Sequence, residues 1–89
     1  MKAVITVVGK DSKGIIAKVS AKCAEAGANI IDITQSVIGE YFAMVMIADT
    51  ADLTLAFGDF VDQMTSLGKD NGLDIRTMHE DIFNSMHKI

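Results

Sequence analysis

Between a β-branched run and a helical pattern lies the segment Gly9-Lys10-Asp11-Ser12-Lys13-Gly14, which joins glycines at both ends to a carboxylate and a hydroxyl. Where a strand passes into a helix, the first helical N–H groups lack intrahelical partners and sit at the positive end of the macrodipole. Such a segment can hold a carboxylate, for example the α-carboxylate of an amino acid. The same residues also suit a tight turn in which Asp11 or Ser12 caps the helix, and spacing alone leaves both readings open. Asn29, just after Gly27 and Ala28, carries a donor and an acceptor on one short side chain. It could serve an ammonium and a carboxylate together, or tolerate a left-handed turn after the glycine.

Other chemistry is thinly provided. Cys23 is the single cysteine, so neither an intramolecular disulfide nor a zinc spacing exists, and the expected compartment is the cytoplasm. His79 and His87 have no cysteine or acidic pair at helical spacing to complete a metal site, which predicts surface or capping roles. Ser20, Cys23 and the histidines form no visible nucleophile and base pair. The expectation is no catalytic residue, no metal and no cofactor. The methionines at 44, 46, 64, 78 and 86 fall on periodic positions and read as core filling.

The elements that position these residues follow from hydrophobic period. Residues 3–8 are β-branched and end at Gly9, predicting a buried strand. From Gly14 the period becomes helical, with Ile16, Val19, Cys23 and Ala26 on one stripe and Gly27 as the stop. Residues 29–38 and 41–48 read as strands joined by Gly39-Glu40, a turn whose leading glycine suits type II′. Phe57, Phe60, Val61, Met64, Leu67 and Gly68 mark a second helix, which Asn71-Gly72 ends. Leu73 to His79 alternates as a fourth strand suited to an edge, and Glu80 to Ile89 reads as a short helix with Ile82, Phe83 and Met86 on its apolar face.

The resulting order, βαββαβ plus a terminal helix, predicts an α+β ferredoxin-like fold with a four-stranded antiparallel sheet, built as a single domain over residues 1–89. Thr6, Thr34 and Ser36 indicate that one sheet face is not wholly apolar. The formal net charge is −4, and residues 49–89 hold eight Asp/Glu against three Lys/Arg. That balance repels phosphate and argues against nucleic acid as a partner. The apolar run at the start stops at Gly9-Lys10-Asp11, far short of a membrane span. A hydrophobic fraction of 49% in so small a chain predicts apolar surface that a homodimer would cover.

Fold alone does not assign function, because this architecture hosts several. A metal carrier of this shape needs paired thiolates in the first loop, and there are none. An acyl phosphatase needs an arginine there, whereas the only arginine is Arg76. An RNA-binding sheet needs aromatics sharing a face, and Tyr41 and Phe42 are adjacent.

Val7-Val8-Gly9-Lys10-Asp11-Ser12-Lys13-Gly14-Ile15-Ile16, followed by Ala26-Gly27-Ala28-Asn29-Ile30-Ile31-Asp32-Ile33, resembles the ACT-domain pattern. The tail from His79 is similar to that of short, stand-alone microbial ACT proteins of the UPF0237 kind, so the resemblance covers the whole chain. Lys13 stands where many ACT domains have proline, and no catalytic domain is fused to the pattern. The resemblance implies a regulatory homodimer that binds an amino acid or similar small molecule and signals to a separate enzyme or regulator. It places the ligand between Gly9, Lys10, Asp11, Ser12, Lys13, Gly14 and Ile15 of one chain and Ala28, Asn29 and Ile30 of its neighbour. The alternative is a protein–protein interaction module whose loop binds nothing.

Overall fold

The computed structural model describes residues 1–86. Its order is β1 (Lys2–Lys10), α1 (Ile15–Ala26), β2 (Asn29–Ile38), β3 (Tyr41–Asp49), α2 (Phe57–Asp70), β4 (Leu73–His79) and α3 (Glu80–Met86). The strands form one antiparallel sheet in the order β2-β3-β1-β4. The expected ferredoxin-like arrangement is therefore the observed one. His87 and Ile89, included in the sequence reading, lie outside the described residues.

Alternation sorts the strands into two faces. Ile5 and Val7 of β1, Phe42, Met44 and Met46 of β3, and Leu73 and Ile75 of β4 point into one core with Val19 and Cys23 of α1 and Phe60 and Met64 of α2. Full burial of side chains of this kind stabilises the fold by roughly 1.5–3 kcal/mol each. Thr6, Thr34 and Ser36 share register with Val45 and Ala43 on the face away from α1 and α2. Val4 shares that face yet is only 3% exposed, because α3 packs back against β1 and β4. Beyond α3 the face is open among the described residues, and Val8, Tyr41 and Val45 are exposed on it.

Three expectations need correction. The buried stripe of α1 is Ile15, Val19, Cys23 and Ala26, with Ile16 exposed at the margin. Positions 15, 19, 23 and 26 are spaced by four, four and three, whereas 16 to 19 starts the stripe one residue late. Met86 is exposed rather than core filling, and so is Ile82. The first strand reaches Lys10, so Gly9 belongs to the sheet rather than to the loop.

The turns match their chemistry. Gly39 has φ 61° while no other residue type has positive φ among the described residues, the type II′ pattern expected of Gly39-Glu40. Gly27, at φ 84°, closes α1 with its own N–H on the Ala24 carbonyl and the Ala28 N–H on that of Cys23, the Schellman arrangement.

Candidate functional site

The segment after β1 is fixed at both ends. The Asp11 N–H donates to the Glu40 carbonyl at 2.8 Å, tying it to the β2–β3 turn, and the Lys18 N–H donates to the Gly14 carbonyl at 3.0 Å, opening α1. Gly14 is the N-cap residue, left-handed at φ 83°, and no side chain caps the helix. The capping role available to Asp11 or Ser12 is thus not taken up. The N–H groups of Ile15, Ile16 and Ala17 remain directed out of the helix start without an intrahelical acceptor.

Ile15, Ile16 and Ala17 line an open cleft of about 410 Å³ between the start of α1 and the second half of β2. Asp11, Ser12 and Gly14 form its rim, Ile15 and Ile16 one wall, Gln35 and Val37 the other, and Phe42 reaches its floor. The cleft exists because the helical layer stops short of β2. On that strand the side chains facing the helices, which share register with Met46, Met44 and Phe42, are Ile33, Gln35 and Val37. All three are exposed.

Of the residues singled out from sequence, Asp11, Ser12, Gly14 and Ile15 line this cleft. Lys10 shares register with Tyr41 on the opposite face of the sheet, and Lys13 is exposed outside the lining. A Cβ on Gly9 would come within 2.7 Å of Leu73 Cδ2, so that glycine permits close strand packing. Ala28, Asn29 and Ile30 lie at the other end of the sheet, where Asn29 shares register with Asp49 and Lys2 with the same residue. The 12 residues of α1 separate them from Gly14, a span of about 18 Å at 1.5 Å per residue. One small molecule cannot touch both sets within one chain.

Gln35, Ser36 and Val37 were not legible as site residues. A register shift between Ile30 and Asp32 sets which β2 side chains face the helices. The available signal was the polar run Thr34-Gln35-Ser36, which places a polar residue where a covered strand would carry an apolar one. Cys23 takes no part, being fully buried with its thiol pushed up to about 11 by desolvation. His79 acts as a cap, its Nδ1 accepting the Asp81 N–H at 3.1 Å at the start of α3.

A family model of the ACT domain matches residues 2–77. The chain belongs to the ACT domain family. Its whole length is similar to a UPF0237 protein of Listeria innocua, 42% identical over 89 residues with 100% of both chains covered. Among solved structures, an ACT domain protein from Streptococcus pneumoniae shares 41% identity at a TM-score of 0.82, with 98% of each chain covered. The ligand-free regulatory subunit of aspartate kinase from Thermus thermophilus shares 25% identity at a TM-score of 0.65, covering 85% of this ACT domain and 49% of that subunit. The ACT fold is a regulatory one, and here the cleft is lined in part by β2, an edge strand of the sheet among the described residues. Among the described residues no helix is long and apolar enough to cross a membrane, and no group of three or more His, Cys, Asp or Glu could hold a metal ion.

Proposed function

We propose that this ACT domain works in the cytoplasm as a single regulatory module that binds an amino acid or similar small ligand at a homodimer interface and signals that state to a separate protein. The observation that carries the reading is the uncapped start of α1 beside a cleft whose outer side is the unpaired edge of β2. The free N–H groups suit an α-carboxylate, and the Asp11 carboxylate at the rim suits an α-ammonium. Antiparallel pairing of two β2 edges about a two-fold axis runs the start of one strand toward the end of the other. That arrangement sets Ala28, Asn29 and Ile30 of one protomer beside the cleft of its partner, supplying the contact that one chain lacks.

Thermal-shift measurement against the proteinogenic amino acids is the direct test. At least one should raise the melting temperature at millimolar concentration, by mass action on the folded state. No rise with any of them would overturn amino-acid binding. A second reading, a protein-interaction module without a ligand, is favoured by the exposed Val8, Tyr41 and Val45 on the open sheet face. Equal retention of a partner by wild type and by a Gly14→Ala, Asn29→Ala double variant would support that reading instead.

A further inference from the structure

We propose that the ligand is an amino acid with an uncharged, apolar side chain, seated between Ile15 and Ile16 on one side and Val37 and Phe42 on the other. The inference rests on the ligand-binding reading above and adds to it the class of side chain. The cleft has two chemically different parts. At the rim lie the free helix-start N–H groups and Asp11, sufficient for the α-carboxylate and α-ammonium that every amino acid carries. Beside them the walls are isoleucine, valine and phenylalanine side chains.

Among the described residues Asp11 is the only ionisable side chain in the lining, and neither Lys10 nor Lys13 contributes to it. An acidic ligand side chain would lie against apolar walls without a cation. A basic one would compete with the ligand's own ammonium for Asp11. Either case sets a charge beside apolar walls without a counter-ion and forfeits the apolar contact those walls offer. The uncharged Gln35 and Ser36 also line the cleft and supply no counter-ion. An apolar side chain instead covers Val37, which is 56% exposed, and Ile16, which is 37% exposed.

Calorimetric titration of the full chain with leucine, isoleucine, valine, methionine and phenylalanine, beside alanine, serine, aspartate, glutamate, lysine and arginine, tests this. The best of the apolar five should bind at least tenfold tighter than alanine and tighter than every polar or charged one, as expected when each added methylene gives about 10-fold or more in an apolar pocket. Tightest binding by serine or a charged amino acid would overturn the side-chain assignment and leave amino-acid binding standing. Absence of binding by all of them would overturn both. Val37→Asp should weaken the best apolar ligand at least tenfold. Ile38→Asp, one residue on and facing the other side of the sheet beside Tyr41, should weaken it less than threefold. Equal losses in both variants would show that strand association, rather than the cleft wall, carries the effect, and would overturn the assignment.

Discussion

At the scale of single residues, two glycines with nearly the same backbone differ in what surrounds them. Gly14 at φ 83° has no atom within 4 Å of where a Cβ would stand, whereas a Cβ on Gly27 would overlap the Asp52 carbonyl oxygen. Gly14→Ala should therefore cost about 1–2 kcal/mol from left-handed backbone strain alone. Gly27→Ala carries strain and overlap together and should cost roughly 3 kcal/mol or more, both read from urea denaturation. Because of that strain at position 14, affinities of such variants are to be measured on the folded fraction. Thr77 is buried with no hydrogen-bond partner for its Oγ1 among the described residues. Thr77→Val should be neutral or stabilising by up to about 1 kcal/mol, since it removes an unsatisfied hydroxyl. Cys23 gives a pH prediction. Burial pushes its folded pKa up to about 11, above the ordinary thiol value of 9.0, so the unfolded chain loses the thiol proton first. The stabilisation is complete below pH 9 and declines as pH rises toward 11. Denaturation midpoints of wild type should fall over that range more steeply than those of Cys23→Ala.

At the scale of elements, α3 departs most from what its sequence promised. Ile82 is 54% and Met86 64% exposed, so the helix does not bury a full apolar face on its own chain. Its work is to cover Val4. Deleting residues 80–89 should cost about 2–4 kcal/mol, the worth of one uncovered valine and a half-buried Phe83, rather than the sum over the whole apolar face. Thermal denaturation of the shortened chain checks this. The other elements were legible because their signals are local: β-branched alternation in β1, β3 and β4, and glycines at Gly27 and Gly39 where positive φ is required. The phase of α1 was missed by one residue because Ile15 and Ile16 are equally apolar, and only the position of the helix on the sheet distinguishes them. The candidate site was half legible for a similar reason. Asp11 and Gly14 announce themselves by type, whereas Gln35 and Val37 become cleft walls only through the β2 register shift and the reach of α1.

At the scale of the whole molecule, β2 lies at one edge of the sheet and exposes apolar side chains toward both sides, including Ile33, Val37 and Ile38. An edge this long, with Asp32 as its single charged residue, is a template for another strand. Light scattering of the wild type should give twice 9.6 kDa, and Ile33→Lys should shift the population toward the single chain. Val45→Lys, on the open face, should leave the dimer intact. The opposite pattern would place association on the sheet face. The same strand order governs biosynthesis. β1 is translated before the other three strands of the sheet, yet it sits inside that sheet, where Lys10 meets Tyr41 on one side and Ala3 meets His79 on the other. A nascent chain can pair β2 with β3 as a hairpin early, but the run Ala3 to Val8 keeps one side unpaired until Leu73–His79 leaves the ribosome. Translation that stops at Asn71 would not yield a smaller version of the fold. It would release a polypeptide whose most β-prone segment is an open edge, a product destined for proteolysis or for self-assembly with other unfinished chains.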